Sequence, residues 1–362
     1  MRNDKHARLF IPGPVEVRPE ILDAQADWMI GHRSRAFADL FARLQPLLRR
    51  TFYTDSRVYI STSSGSGLWE AASRNCVRDG SKVLHLVNGA FSERWAAVSR
   101  ANGKQVEVIE VPWGEAVKPE QVRDTLRQGN FDALAMVYSE TSTGVLNPLR
   151  EIAQVVDEFP ETLLLVDVVS AYMGTKIEVD AWGIDVCLTS TQKALALPPG
   201  MALGAVSDAV LARAEQVPFR GYYFDFLTLE KYLGRNNTPA TPPISLMYAL
   251  EKQLHYIFEE GMEARFARHA ELAGMVQAWA LERGFELFAE EDYRSPTVTA
   301  ITNTREIDVD ALNAFLTERG MVISNGYGKL KGQTFRIAHM GDVSRDEVQT
   351  LLDTIDEFIA SL

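Results

Sequence analysis

The chain is poor in cysteine, with only Cys76 and Cys187 in 362 residues. Two thiols build no disulfide framework, their spacing matches no metal-ligand pattern, and Cys187 falls inside an apolar run read as a strand. A reduced, cytoplasmic setting is the simple expectation. Long hydrophobic runs are also missing: none approaches the roughly 18 residues that a membrane span needs. The opening Met1-Arg2-Asn3-Asp4-Lys5-His6 passes into Leu9-Phe10-Ile11-Pro12-Gly13-Pro14 without the apolar centre of a signal peptide. Positive charge is scarce too. Lys and Arg number 37 against 49 Asp and Glu, a net charge of −12 with no basic run. That balance argues against nucleic acid or an anionic membrane as a partner. No repeat or low-complexity segment occurs. What remains is an ordinary globular composition, 46% hydrophobic and 24% charged, at a length that predicts two or three domains.

The most informative stretch is Ile184-Asp185-Val186-Cys187-Leu188-Thr189-Ser190-Thr191-Gln192-Lys193-Ala194-Leu195, which runs on to Pro198-Pro199-Gly200. A short apolar run rich in β-branched residues reads as a buried strand. It breaks into hydroxyl residues, delivers one lysine, and ends in a turn. Burial disfavours an ammonium, so the pKa of Lys193 should fall and its amine become nucleophilic, as a Schiff-base lysine requires. Upstream, Thr162–Ser170 is a second apolar strand carrying Asp167 where it should stop. A buried carboxylate needs a cationic mate, and a protonated pyridine nitrogen is one that would serve. Taken singly, a lysine closing a strand end and an aspartate capping a helix would explain each residue.

Strands and helices alternate through the first 200 residues. Strands are expected at Val58–Thr62, Lys82–Val87, Gln105–Val111 and Ala133–Tyr138. Helices are expected at Pro19–Met29, Phe37–Phe52, Trp69–Val77, Pro119–Arg127 and Leu149–Glu158. This alternation signals a parallel sheet wrapped by helices, with ligands at the carboxyl ends of the strands. Polar clusters sit at such ends. Ser63-Ser64-Gly65-Ser66-Gly67 lies between strand and helix, where backbone N–H groups and hydroxyls form a ready anion site. It has no Walker lysine, which excludes a nucleotide P-loop. Asn88-Gly89-Ala90-Phe91-Ser92 and Ser139-Glu140-Thr141-Ser142-Thr143-Gly144 close the next strands. His32-Arg33, on a loop, could bind an anion by charge-assisted hydrogen bonds.

The strand-Asp and strand-Ser-x-Gln-Lys pieces resemble the class V aminotransferases among the fold-type I pyridoxal phosphate enzymes. The likeness covers nearly the whole chain. It is closest to the serine–pyruvate/alanine–glyoxylate group, with features of phosphoserine aminotransferase. The resemblance implies an α/β large domain with a mostly parallel seven-stranded sheet, followed by a smaller α+β domain. We expect an N-terminal segment at 1–14, the large domain at 15–255 and the small one at 256–362. It also implies roles for individual residues. Lys193 would carry the cofactor aldehyde and move the α-proton, while Asp167 keeps the ring nitrogen protonated. Ser64, Gly65 and Ser66 would cradle the phosphate, Phe91 would stack on the ring, and Thr141 would bond its oxygen side. Val169 and Gln192 would add cofactor contacts. Asn237 and Thr238, with Thr241 as an alternative, would lie on a loop reaching the cofactor phosphate of a second subunit. An obligate homodimer follows.

The aromatic patch Phe219–Phe226 suits either that interface or the core. Beyond it, the long helix Ile244–Glu260 leads to a β–α–β portion: Thr297–Thr302, Val309–Arg319, Phe335–His339 and Arg345–Ala360. Arg336 stands on an apolar strand, where a guanidinium needs a carboxylate in bidentate geometry. A structural ion pair would satisfy it. By the resemblance, it clamps the substrate α-carboxylate. Two substrate readings stay open. The general pattern favours a small neutral amino donor, alanine or serine, with glyoxylate or pyruvate as acceptor. His32-Arg33 and Asn237-Thr238 lean toward O-phosphoserine, yet the second His-Arg pair of phosphoserine enzymes is replaced by Gly328-Lys329-Leu330-Lys331. A cysteine desulfurase would need a cysteine in the C-terminal half, and none follows Cys187. A non-catalytic interaction subunit should have lost Lys193, Asp167 or Arg336, and all three are present.

Overall fold

The computed structural model describes residues 6–362; what was expected of Met1–Lys5 lies outside the described residues. A seven-stranded sheet forms the centre: β1 Arg57–Ser61, β2 Lys82–Val87, β3 Gln105–Glu110, β4 Phe131–Val137, β5 Leu163–Asp167, β6 Val186–Ser190 and β7 Ala202–Val206. Their order is β1-β7-β6-β5-β4-β2-β3, and only β7 runs against its neighbours. Burial on both faces explains the continuous apolar strands. Leu164 and Val166 pack into one core with Phe37, Leu40 and Leu44, while Leu163 and Leu165 face a second with Leu68, Trp69 and Trp95.

Element bounds depart from expectation for local reasons. β5 does stop at Asp167, the residue expected to end it, where Oδ1 accepts the Val169 N–H at 2.7 Å and turns the chain. The helix expected from Trp69 starts at Gly65, so the Gly/Ser run is its first turn. The helix from Pro19 ends at Ala24; Trp28 and Met29 beyond it are exposed and have no core to bury against. The elements not anticipated include β7, whose Ala-Leu-Gly-Ala-Val carries little strand preference, and the helices Ala90–Ala101 and Phe226–Leu233. No helix among the described residues is long and apolar enough to cross a membrane.

The C-terminal portion builds its own antiparallel sheet from β8 Glu286–Leu287, β9 Val298–Thr302, β10 Ser324–Asn325 and β11 Thr334–Ala338, in the order β8-β9-β11-β10. The N-terminal segment joins this portion. Arg8 and Leu9 pair in parallel with Met321 and Val322, and Phe10 is wholly buried in the C-terminal core. The segment Pro12–Pro14 then crosses to the lysine loop.

One buried ion network ties these parts together. Arg265, about 1% exposed, donates to Asp342 Oδ1 at 2.7 Å and Glu260 Oε2 at 2.8 Å, and through Nη2 to the Ala194 carbonyl at 2.8 Å. Asp342 Oδ2 also accepts from Arg18 Nε at 2.8 Å and Gln253 Nε2 at 3.1 Å. Removing one partner of such a set leaves a buried charge uncompensated. Asp342→Ala is therefore expected to lower the unfolding free energy by about 3–5 kcal/mol, read from the shift in urea midpoint at constant slope. A loss under about 1 kcal/mol would mean that water screens the network.

Candidate active site

A cavity of about 370 Å³ opens at the carboxyl ends of the central strands. Ten of the residues singled out from the sequence line it: Ser64, Gly65, Ser66, Phe91, Thr141, Asp167, Val169, Gln192, Lys193 and Arg336. They come from distant parts of the chain because each occupies the first residues after a strand, or the strand's last. Arg336 is the exception. It arrives from β11, on the C-terminal sheet.

Lys193 follows β6 by three residues, and its Nζ donates to the Pro12 carbonyl of the N-terminal segment. That segment approaches closely. A Cβ on Gly13, whose φ is +104°, would meet Lys193 Cδ at 2.9 Å, so only glycine fits there. Burial draws the ammonium pKa down to about 8, and the Arg336 charge pushes the same way, against the attraction of Asp167 and Glu140. The amine is thus far more available at neutral pH than that of an ordinary lysine.

Asp167 is 3% exposed and has no cationic partner among the described residues. Its carboxylate accepts two N–H groups, from Val169 at 2.7 Å and from the Trp69 indole at 2.6 Å. Burial raises its pKa to about 7, with those two donors opposing the rise. Ser64 caps the helix Gly65–Cys76 without a side-chain hydrogen bond. A Cβ on Gly65 would lie 2.8 Å from Val169 Cγ2 and fill the space beside it. Ser190 Oγ and Gln192 Oε1, both buried on this cavity, have no hydrogen-bond partner. Here an anion would find an open helix N-terminus and unused hydroxyl groups.

Phe91 sits on the first turn of the helix Ala90–Ala101, and a buried carboxylate holds that turn. Glu140 accepts from Phe91 N at 3.3 Å, from Ser92 N and Oγ at 3.0 Å, and from Ser142 Oγ at 2.7 Å. Thr141, next in the chain, bonds Ser170 Oγ at 2.5 Å, and its carbonyl accepts from Arg336 Nη1 at 3.2 Å. Arg336 also donates Nε and Nη2 to the Asn325 carbonyl at 3.2 Å and lies over the Tyr327 ring, 5.5 Å from its centroid. No carboxylate pairs with it among the described residues, so the structural ion pair is not what satisfies it. Burial lowers its pKa to about 10, with Tyr327 and Glu140 opposing. The cavity therefore holds a buried guanidinium with bidentate capacity to spare.

Five other candidates lie elsewhere. Arg33 donates to Asn237 Oδ1, to the Thr238 carbonyl at 2.6 Å and to the Pro239 carbonyl at 3.1 Å. His32 is half-buried beside it, and Thr238 Oγ1 donates to the Ala240 carbonyl at 2.8 Å. Thr241 is exposed, its carbonyl 3.4 Å from Thr62 Oγ1. These residues form a separate cluster outside the cavity. Conversely, Trp69, Arg94, Ser190 and Tyr327 line the cavity without having been anticipated. Arg94 follows Phe91 by three residues on one helix, so recognising that helix would have found it. Trp69 follows the Gly/Ser run as the first aromatic after it, a signal that passed unread.

Residues 24–345 match the family model described as Aminotransferase class-V. An uncharacterized aminotransferase of Methanocaldococcus jannaschii is 36% identical over 96% of this chain and 91% of its own length. An L-aspartate–glyoxylate aminotransferase of Paracoccus denitrificans is 31% identical over 98% of this chain and 91% of its own. The solved structure of alanine–glyoxylate aminotransferase from Nostoc sp. superposes with a TM-score of 0.93 at 31% identity, covering 99% of this chain and 96% of that one. Matched over most of its length, the chain belongs to the class V aminotransferases, fold-type I transaminases that use pyridoxal phosphate.

Proposed function

We propose that this transaminase moves the amino group of a small L-amino acid, alanine or serine, to glyoxylate or pyruvate, the two substrates using one cavity in turn. The observation that carries the reading is the unpaired, buried Arg336 facing the same cavity as Lys193 and Asp167. Its fork suits an α-carboxylate, which every amino acid and 2-oxo acid presents. The residues also fit pyridoxal phosphate. The open turn at Ser64, Gly65 and Ser66, with the orphaned Ser190 Oγ, suits the phosphate. Phe91 and Val169 suit the ring faces, and Thr141 its oxygen side.

When bound, pyridoxal phosphate supplies an aldehyde that carries the amino group and a ring that accepts electron density. Lys193 Nζ takes the proton from the substrate α-carbon and returns one at the end of the transfer, a task matched to a pKa near neutrality. Asp167 holds a proton at the pyridine nitrogen. Arg336 fixes the carboxylate, which orients the Cα–H bond toward Lys193.

The acceptor is argued from the relatives. The Paracoccus and Nostoc enzymes are named for different donors, yet both for glyoxylate. O-Phosphoserine is a second reading, and the donors of Arg33 are turned to its own loop at Asn237–Pro239 rather than to the cavity. The same cluster, with exposed Trp28, Phe219 and Tyr222 at 94%, 92% and 81%, supports a homodimer in which Asn237 and Thr238 complete the other subunit's site. Two buried free cysteines suit a cytoplasmic setting. We place the domain division at the end of the helix Ile244–Glu260, just past residue 255. Lys193 and Asp167 then belong to one unit and Arg336 to the other.

Two measurements test this. L-Alanine or L-serine added to the holoenzyme should abolish the visible band of the bound cofactor, and glyoxylate or pyruvate should restore it. Bleaching by O-phospho-L-serine alone would replace this reading with the phosphoserine one. Lys193→Ala should abolish turnover, and Arg336→Gln should raise KM for either donor roughly 30- to 100-fold, about 2–3 kcal/mol of lost charge-assisted bonding. The second measurement concerns pH. Reaction of the Lys193 amine with an acylating reagent in cofactor-free protein should rise through a midpoint near pH 8. Arg336→Gln removes a repelling positive charge, so the ammonium becomes easier to keep and the midpoint moves up. A midpoint at the ordinary lysine value in the parent protein would show that the amine is not desolvated.

A further inference from the structure

Trp69 is the one large aromatic at the start of the helix Gly65–Cys76, and it lines the cavity. Trp69 and Asp167 are each 3% exposed, and the indole N–H meets Asp167 Oδ2 at 2.6 Å. An indole can only donate, so this bond is strongest when the partner carries negative charge. The ring cannot readily turn away. It stacks on Trp95 at 5.9 Å and 13°. Trp95 in turn meets the His85 ring edge-on at 5.7 Å, and His85 Nε2 bonds Ser99 Oγ at 2.9 Å. The aspartate thus has one rigid side-chain donor, and Val169 N–H on its other oxygen.

We propose that Trp69 is a positioning residue for transamination: its indole N–H holds Asp167 as a carboxylate in one rotamer, so that the ring nitrogen of the cofactor keeps its proton. The inference rests on the reading that Asp167 faces that nitrogen. Burial favours the neutral acid, and the indole is one of two N–H donors opposing it. Without the indole the shared proton moves from the ring nitrogen to Asp167. No bond to carbon changes and no further reactant is needed. The ring then accepts electron density less well, and proton removal from the substrate slows, while Arg336 still binds the carboxylate as before.

The test uses holoenzyme with Trp69→Phe, in the parent and in an Asp167→Asn background. The rate at which saturating L-alanine (or whichever donor above bleaches the band) removes the cofactor absorbance is followed in a single turnover. The visible spectrum is titrated with pH in the absence of donor. In the parent background Trp69→Phe should slow the turnover about 10-fold or more, leave the half-saturating donor concentration unchanged, and displace the spectral titration. In the Asp167→Asn background it should add less than about 2-fold, because the two residues act as one unit. Trp69→His, which retains a ring N–H, should recover part of the rate. If Trp69→Phe does not fold, Trp69→Met takes its place. A parental rate and spectrum in Trp69→Phe, equal losses in both backgrounds, or equal losses for Phe and His would each overturn the inference alone. An Asp167→Asn enzyme as fast as the parent would overturn the Asp167 assignment with it.

Discussion

The structure turns on three ionisable groups held out of water without a direct ion pair among the described residues: Asp167, Lys193 and Arg336. Each alone is unfavourable, since burying an ion costs several kcal/mol unless hydrogen bonds or counter-charge offset it. The chain offsets each only in part. Asp167 has two N–H donors, Arg336 has carbonyls at 3.2 Å, and Lys193 has the Pro12 carbonyl. All three line one cavity, and on the proposed reading cofactor and substrate would bring Asp167 a ring cation, Lys193 an aldehyde carbon and Arg336 a carboxylate. A folded chain accepts such cost where it is spread over a stable frame, and the two-faced burial of β4, β5 and β6 is that frame.

The architecture explains why the three converge. Strands that end together along one edge of a parallel sheet bring their next residues together, whatever their separation in sequence. The sheet alone supplies Asp167 and Lys193. Arg336 comes from β11, and the frame that holds the two portions in register includes the Arg265–Asp342 network, which reaches the Ala194 carbonyl beside the lysine. Packing and chemistry are thus coupled at one residue. Arg265 does not line the cavity, yet it braces the backbone next to Lys193.

Much of this was legible in the sequence, and the legible parts share a cause. Apolar strands followed at once by a charged or Gly/Ser-rich residue betray both burial and a strand end, which is how Asp167, Lys193 and the run Ser63–Gly67 could be found; Thr141, and the choice of Ser64–Ser66 within that run, came from the family resemblance. Arg336 was legible as a cation among apolar residues; that it lacked a carboxylate was not, because pairing is a tertiary fact. β7 escaped because Ala-Leu-Gly-Ala-Val has no strong propensity and takes its form from the neighbours β1 and β6. The helix Ala90–Ala101 escaped because its start leans on Glu140, some fifty residues on, as well as on Ser92 Oγ, which accepts from Gly89 N at 3.1 Å. Arg94 and Trp69 were missed with the helix turns that present them.

These layers divide the problem of specificity. On the reading proposed above, the buried charges would recognise what all substrates of a transaminase share, and so could not choose the donor. Choice would fall to groups that touch what differs, the side chain beyond Cα. Arg94, Tyr327 and Ser324 also line the cavity and are the candidates for that contact. Arg94 Nη2 donates to the Tyr327 hydroxyl at 2.6 Å and its guanidinium lies 5.3 Å from the Phe91 ring centre. The rim is built from loops and an exposed helix face, where substitutions cost little stability, while the charged floor lies among packed strands. A fold built this way can keep one floor while its rim varies.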